Sequence, residues 1–274
     1  MAVIIREYQE GDFGDVVEIC KLTAHPSIQS SADILPYIYA VPYIRLEPAH
    51  AFVLDAGSSE ENASGSGSGS GRRVVGYIIG TPDTKTFVER YRREYLPTLT
   101  LPSAVANITA TSVAAQVDDG DGDGDELQRM FEKILLNPEE MLQPAAPDFI
   151  PCYPAHLHID ILPEFQGKGF GGRLMEKFLR GMRQSGGGAC GGVHLGMRRD
   201  NVAAGRFYKR CGFRVHEGLS DEHTTWMVKD LEDLEGEEGE REDLHDTRNI
   251  AREKVDRLYQ VFPRMITTYQ QMFP

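Results

Sequence analysis

Residues 156–172 read HLHIDILPEFQGKGFGG and decide the fold. Apolar and polar residues alternate from His156 to Ile161, which is the two-residue period of a β-strand, and Pro163 ends the run. A glycine-rich turn follows. Behind it, apolar residues recur at helical spacing: Leu174, Met175, Phe178, Leu179 and Met182. A strand, a glycine-rich turn and a helix in this order predict α/β architecture with a ligand site at the turn.

The flanking sequence repeats both patterns. Further strands are predicted at 3–8, 51–54, 74–79, 193–197, 213–215 and 224–228. Further helices are predicted at 11–20, 83–96, 126–136 and 201–211. We expect one domain at 1–230, with a disordered hairpin tip at 57–72 and an insertion at 83–150, then an acidic linker and helical tail at 231–274. The insertion is where acceptor specificity is expected, because binding residues concentrate on irregular segments.

Charge limits the classes of partner. The chain has 274 residues and a net charge of −13. Its acidic residues are concentrated at 118–126 and 230–243. The summed charge of these two tracts is one unit more negative than the net charge of the whole chain, so the remaining residues are close to neutral overall. Nucleic-acid binding needs a concentrated basic face, and a membrane span needs about 20 apolar residues in a row. The sequence has neither feature, so neither nucleic acid nor membrane is expected as a partner.

The spacing of cysteine, histidine and acidic residues does not predict a metal site. The four cysteines are far apart, as in a reducing compartment, so we expect a cytoplasmic protein, with the nucleus as the alternative. His156-x-His158-x-Asp160 resembles a zinc-binding strand, but Ile161 stands where a further histidine is needed. The tract at 118–126 is expected to be a solvated, disordered loop, because it fits an EF-hand loop in neither register. No metal is therefore expected.

The turn at 166–172 predicts a phosphate site. Unsatisfied N–H groups at a helix N-terminus bind anions, and glycines let a phosphate come close to the backbone. A Walker loop requires Ser or Thr after Lys168, where this chain has Gly169. The segment 167–172 fits the Rossmann pattern G-x-G-x-x-G, but no acidic residue ends a second strand about 20 residues later.

Two motifs resemble those of the GNAT acetyltransferases. Gln166-x-x-Gly169-x-Gly171 resembles their acetyl-CoA motif, and Asn201-x-x-Ala204-x-x-Phe207-Tyr208-x-x-x-Gly212-Phe213 resembles their second signature, in the family's order. The resemblance implies an α/β (α+β) GNAT fold: a central mixed, mostly antiparallel sheet of six to seven strands, with helices on both faces and splayed strands at the cofactor site. It also implies an acetyl-CoA-dependent N-acetyltransferase.

The resemblance implies roles for individual residues. Acetyl-CoA is expected to contact Ile159, Ile161, Leu162, Gln166, Gly167, Lys168, Gly169, Phe170, Gly171, Gly172, Asn201, Phe207 and Tyr208. Tyr208 is expected to protonate the leaving sulfur, and the alternative is a core tyrosine. Asn201 is expected to contact the cofactor, to cap its helix, or both. Asp160 and His158 are the candidate bases by their place on the strand, and the alternative for Asp160 is a structural carboxylate.

A narrower resemblance covers 74–96 and 150–216. The stretches YPAHLHIDILP (153–163), GVHLGM (192–197) and GTPDT (80–84) resemble the acetyltransferase-like domain of O-GlcNAc hydrolases. The candidates for acceptor contact are His158, Asp160, Tyr153, Asp83 and Trp226.

Three functions are open at this point. The chain acetylates a small-molecule amine such as glucosamine, or a lysine side chain of a protein or histone, or it is a silent acetyl-CoA sensor. We favour the first, because the near-neutral body shows no acidic groove for a basic peptide and an amine less basic than lysine needs less deprotonation. The protein is expected to be a monomer or a homodimer.

Overall fold

The computed structural model describes residues 3–57, 73–99, 123–143, 146–185 and 191–231. These residues form the strands β1 (Ile4–Glu7), β2 (Phe52–Asp55), β3 (Val74–Thr81), β4 (Ala155–Ile161), β5 (Gly192–Arg198), β6 (Arg214–Val215) and β7 (Thr224–Asp230). The α-helices are α1 (Phe13–Leu22), α2 (Leu35–Tyr39), α3 (Val41–Leu46), α4 (Thr84–Arg90), α5 (Asp123–Leu136), α6 (Phe149–Cys152), α7 (Phe170–Ser185) and α8 (Val202–Arg210). Each predicted strand is present.

The seven strands form one sheet in the order β1-β2-β3-β4-β5-β7-β6. The pairs β1–β2, β2–β3, β5–β7 and β6–β7 are antiparallel, whereas β4 and β5 are parallel. The predicted mixed, mostly antiparallel sheet is confirmed. In the described part of the chain, β4 and β5 pair at two positions, Ala155 with Val193 and His156 with His194. Both described strands continue past these pairs without pairing to each other, as expected of strands that splay.

The chain forms two compact units. The first contains the residues up to Thr81, then Thr86–Glu140 and His158–Phe178; the second contains Pro82–Lys85, Met141–Leu157 and the residues from Leu179 onward. The single domain expected at 1–230 stays a prediction. The predicted hairpin tip lies outside the described residues except for Gly57, and the predicted tail does so except for Leu231.

Aromatic side chains fill much of the core of the first unit. Tyr43 stacks on Phe87 at 4.5 Å, Phe87 meets Tyr91 at 6.0 Å, and Tyr91 meets Tyr95 at 4.8 Å between ring centroids. The spacing of four residues therefore places one face of the predicted helix in the core, as expected. Its second half is a π-helical turn at Tyr91–Tyr95.

Two features of the first unit differ from expectation. Helices α2 and α3 were not predicted, because both are short and carry a proline in the first turn, where its missing N–H costs no hydrogen bond. Helix α5 begins at Asp123, so the prediction of a loop at 118–126 is wrong for residues 123–126. The buried Phe131 and Leu135 anchor this helix, and each residue added at its N-terminal end gains a backbone hydrogen bond.

The core of the second unit is built around α6, β5 and β7. Phe149, Tyr153, Leu219 and Val228 are buried together, and the half-buried Trp226 packs against them. Three histidines, His156, His194 and His216, are also buried in this unit.

Candidate functional site

The glycine-rich turn of the first unit lies between β4 and α7. Gly167 has φ +70° and Gly169 has φ +83°, a backbone conformation that other residues adopt only under strain. A Cβ atom at either glycine would meet no heavy atom within 4 Å, so the space beside the turn is open. Helix α7 begins at Phe170 and runs for 16 residues. The N–H groups of Phe170, Gly171 and Gly172 precede its first hydrogen bond, from Arg173 to the Gly169 carbonyl oxygen, and therefore lie at the turn.

Gln166 connects the turn to the preceding strand. Its side-chain Nε2 donates a hydrogen bond to the backbone carbonyl oxygen of Ile161 at 2.7 Å. The backbone N–H of Leu162 donates to the carbonyl oxygen of Val75 at 2.9 Å. The Lys168 ammonium is exposed and lies 5.4 Å from the centre of the Phe165 ring. The end of β4 is thus fixed on one side by β3 and on the other by Gln166.

Asp160 on β4 forms a hydrogen-bonded pair with a residue that the sequence analysis did not single out. Tyr77 Oη donates to Asp160 Oδ2 at 2.5 Å. Burial raises the pKa of Asp160, and the hydrogen bond from Tyr77 opposes that increase. A carboxylate with a raised pKa, held by a neutral donor, is suited to accept a proton.

His158 lies two residues before Asp160, so strand alternation puts both side chains on one face of β4. Its Nε2 is 3.1 Å from the hydroxyl of Tyr43. The imidazole also lies 5.0 Å from the Tyr43 ring and 5.5 Å from the half-buried Tyr39 ring, between centroids. The aromatic pair Tyr39 and Tyr43 therefore flanks the histidine on the face that carries Asp160.

In the second unit, Asn201 and Tyr208 lie at opposite ends of α8. Asn201 caps the helix, because its Oδ1 accepts a hydrogen bond from the backbone N–H of Ala204 at 3.1 Å. The half-buried Tyr208 ring packs between Phe207 at 5.2 Å and Phe213 at 5.8 Å. The capping role of Asn201 is confirmed, and cofactor contact stays a prediction for all three motif residues, Asn201, Phe207 and Tyr208.

The other acceptor candidates of the second unit have different surroundings. Tyr153 is 1% exposed, and its hydroxyl accepts a hydrogen bond from Arg214 at 2.6 Å. Trp226 is half-buried, and its ring lies beside Gly196, where an added Cβ would be 3.4 Å from the nearest ring atom. Asp83 is half-buried just before α4. Tyr153 therefore has a packing role, and acceptor contact stays a prediction for these three residues.

The histidines of the zinc-like motif have separate partners. His156 Nδ1 is 2.7 Å from Thr84 Oγ1 in the second unit, whereas His158 faces Tyr43 in the first. Within the five described segments, no group of three His, Cys, Asp or Glu residues is arranged to hold a metal ion. The helices of the same segments are also too short or too polar to cross a membrane.

Comparison with known proteins agrees with this geometry. A sequence model of the acetyltransferase (GNAT) domain matches residues 144–215. The solved structure of a protein named SsHAT is 32% identical, with a TM-score of 0.61, over 85% of this chain and all of that one. The chain belongs to the GNAT acetyltransferase family. It is an acetyl-CoA-dependent N-acetyltransferase, and acetyl-CoA is its cofactor, as the two motifs predicted.

Two further solved structures are more distantly similar. PaiA N-acetyltransferase from Thermoplasma acidophilum, in complex with coenzyme A, is 12% identical with a TM-score of 0.43, over 84% of this chain and 99% of that one. Ard1 from Thermoplasma volcanium is 17% identical with a TM-score of 0.42, over 85% of this chain and all of that one. The narrower resemblance to the acetyltransferase-like domain of O-GlcNAc hydrolases stays a prediction.

Sequence reasoning missed Tyr77, Tyr39 and Tyr43 of this GNAT chain. A signal for Tyr77 existed: it is the one hydroxyl-bearing side chain within the apolar run VVGYIIG (74–80), and a buried phenol needs a hydrogen-bond partner. Tyr39 and Tyr43 belong to the two short helices that were not predicted, so their proximity to β4 had no signal.

Proposed function

We propose that this GNAT enzyme transfers the acetyl group of acetyl-CoA to the primary amine of a small molecule, with an amino sugar such as glucosamine as the favoured acceptor. The observation that carries the proposal is the polar and aromatic face of β4, which carries Asp160 and, two residues before it, His158 beside the rings of Tyr39 and Tyr43. A carboxylate attracts an ammonium group, and aromatic rings attract both a cation and the apolar face of a ring-shaped molecule.

The residues of the glycine-rich turn fit the phosphates of acetyl-CoA. Two glycines with positive φ and open space beside them allow a close approach, and the N-terminus of α7 supplies N–H donors. Gln166, Gly167, Lys168, Gly169, Phe170, Gly171 and Gly172 would hold the pyrophosphate, and Ile159, Ile161 and Leu162 would lie along the pantetheine arm. Gln166 fixes the turn from outside, through the Ile161 carbonyl.

Asp160 would remove the proton that prevents attack. A primary ammonium has no lone pair, so its nitrogen must first lose one proton, and the Asp160 carboxylate would take it and pass it to water. Burial raises the pKa of Asp160, which makes it a stronger base than an exposed aspartate. When bound, acetyl-CoA supplies a thioester whose carbon–sulfur bond breaks, with the electron pair leaving on sulfur, as the nitrogen bonds to the acetyl carbon.

Tyr208 would complete the balance of protons. Its Oη would give a proton to the leaving sulfur and regain one, through water, from the acylated nitrogen. The overall reaction then releases the one proton that Asp160 took from the ammonium. This role rests on the match of residues 201–213 to the second GNAT signature, and Asn201 would support it by fixing the start of α8.

The test is an acceptor panel. The full chain is incubated with acetyl-CoA and with glucosamine, a simple alkyl amine or a histone-tail peptide, while free thiol is followed and products are identified by mass spectrometry. We expect thiol release that depends on glucosamine, with N-acetylglucosamine as product. Asp160→Asn, which keeps the size but cannot take a proton, should lower the rate at neutral pH without abolishing acetyl-CoA binding.

Other outcomes of the panel point to the other functions. Acetylation of the peptide alone would replace the proposed acceptor with a protein lysine. Tight acetyl-CoA binding with no acceptor-dependent thiol release for any amine would favour a sensor.

We also propose that the protein is cytoplasmic, with the nucleus as the alternative, and that it is a monomer or homodimer. The free cysteines Cys20, Cys152 and Cys211 support a reducing compartment.

A further inference from the structure

Strands β3 and β4 approach closely beside Asp160. Gly76 on β3 lacks a side chain, and a Cβ there would lie 3.0 Å from the Asp160 carbonyl oxygen and 2.9 Å from Ile161 Cγ1. The next residue, Tyr77, is fully buried and directs its hydroxyl to Asp160 Oδ2. The contact joins residues 83 positions apart in the sequence, so it exists because the two strands are packed this closely.

Helix α1 completes the surroundings of this carboxylate. Cys20, 6% exposed, lies near Tyr77, and Thr23 lies near Asp160. A phenol has one proton, and Tyr77 donates it to Asp160, whereas the Thr23 hydroxyl donates to the Ile19 carbonyl oxygen at 2.7 Å. On β4 itself, His158 is the titratable neighbour two residues away. The carboxylate is therefore held by a neutral donor, Tyr77 on β3.

The Tyr77 hydroxyl and the Cys20 thiol keep their protons near neutral pH. Burial, followed by the charge of Asp160, raises the pKa of Tyr77 far above its usual value, and burial raises the pKa of Cys20 to about 12. Tyr77 is thus a permanent donor to Asp160. Hydrogen bonding to an ionised carboxylate favours that form, so it limits the increase in the pKa of Asp160 that burial causes.

We propose that Tyr77 is a positioning residue for acetyl transfer: its hydroxyl fixes one oxygen of the Asp160 carboxylate and keeps the carboxylate ionised and oriented toward the acceptor ammonium. The proposal rests on the proposed function, in which Asp160 is the base. It assigns the role to a residue that touches neither acceptor nor cofactor and acts through Asp160.

The test compares Tyr77→Phe with Tyr91→Phe in the full chain. Tyr91 is an equally buried tyrosine whose hydroxyl donates to the Leu135 carbonyl oxygen, away from Asp160. Two quantities are measured: the pH dependence of kcat/KM, and the pKa of Asp160 by ¹³C NMR titration of the free protein, with Asp160→Asn identifying the resonance. Acetyl-CoA affinity is measured by calorimetry.

For Tyr77→Phe we expect the acid limb of kcat/KM and the NMR titration to move together to higher pH by about one unit, the effect of one hydrogen bond to a carboxylate. Activity then falls about tenfold below the limb and recovers well above it, while acetyl-CoA affinity is unchanged. Tyr91→Phe should move neither curve. A merely structural role for Tyr77 would lower activity at all pH values and leave the midpoints in place.

Failure of each proposal gives a different result. If Asp160→Asn keeps full turnover and its pH profile, the base role fails and the role of Tyr77 fails with it. If Asp160→Asn is inactive and Tyr77→Phe matches Tyr91→Phe, the role of Tyr77 alone is overturned. If Tyr77→Phe does not fold, 3-fluorotyrosine is incorporated in place of Tyr77, since its more acidic hydroxyl is a stronger donor. The Asp160 titration must then move to lower pH, and an unchanged titration overturns the proposal.

Discussion

The side chain of Gln166 donates a hydrogen bond to the backbone carbonyl oxygen of Ile161, with 2.7 Å between Nε2 and O. The glutamine of the acetyl-CoA motif is thereby bonded to the last residue of β4. Its side chain holds the turn and the strand end in one arrangement, which is a structural contribution to the shape of the phosphate site.

We expect Gln166→Ala to weaken acetyl-CoA binding about fivefold, because one neutral hydrogen bond contributes about 1 kcal/mol. Calorimetry on the free enzyme measures the dissociation constant. The matched control is Gln184→Ala, which removes an exposed glutamine near the far end of α7. Equal affinities for the two variants would show that the bond to Ile161 is not needed to shape the turn.

Gly169→Ala should destabilise the fold by about 1–2 kcal/mol, because φ is +83° and an L-residue is strained there. The open space beside Gly169 means that the cost is conformational and not a clash. Gly14→Ala in α1 is the control, since an added Cβ there also meets nothing within 4 Å and alanine is the better helix former. Urea unfolding should show the two variants moving in opposite directions. Equal stability of Gly169→Ala and the parent would contradict the prediction.

Tyr208→Phe is expected to lower turnover by about 100-fold or more, the usual contribution of a positioned general acid. Acetyl-CoA affinity should change little, because the ring and its packing against Phe213 remain. Steady-state kinetics on the best acceptor measure the first quantity and calorimetry the second. The control is Tyr95→Phe, which also removes one buried tyrosine hydroxyl, here one that donates to the Tyr37 carbonyl oxygen. Turnover equal to that of this control would remove the acid role from Tyr208.

The parts of the fold that were predictable have short-range causes. Alternation of apolar and polar residues, or a short apolar run, reports a strand wherever one side of it is buried, and the glycine spacing at 167–172 reports a turn with positive φ. Helices α2 and α3 were missed because they lack such a short-range pattern. They are five and six residues long, which is too short to show a helical period, and the tertiary packing of residues such as Tyr43 stabilises them.

The candidate site was predictable only where its residues are close in sequence. The turn, Asp160 and the second motif could be found from spacing alone. The bond from Tyr77 to Asp160 could not, because it depends on the pairing and close approach of two strands, and one residue of slip would turn Tyr77 to the other face of the sheet. A buried hydroxyl in an apolar strand indicates that a partner exists, but not which one.

His194 makes the stability of the fold depend on pH. It is buried among Phe149, Tyr153 and Trp226, and its Nδ1 donates to the Tyr153 carbonyl oxygen at 2.6 Å. Burial lowers its pKa from 6.5 to about 4, so the folded chain keeps the ring neutral at pH values where the unfolded chain protonates it. The stabilisation is complete above pH 6.5 and is lost progressively as the pH falls from 6.5 to about 4.

We therefore expect His194→Asn to remove a defined part of the acid sensitivity. The asparagine amide can still donate to Tyr153, but it has no proton to gain, so the cavity it leaves lowers stability by the same amount at every pH. Between pH 7 and pH 5 the parent should lose about 2 kcal/mol of unfolding free energy more than the variant does, from the change in the pKa of one histidine. Urea unfolding at pH 7, 6 and 5 measures this difference. His25→Asn, at a histidine near the surface, is the control and should follow the parent. A stability difference between parent and His194→Asn that stays constant over this range would mean that His194 does not cause the loss.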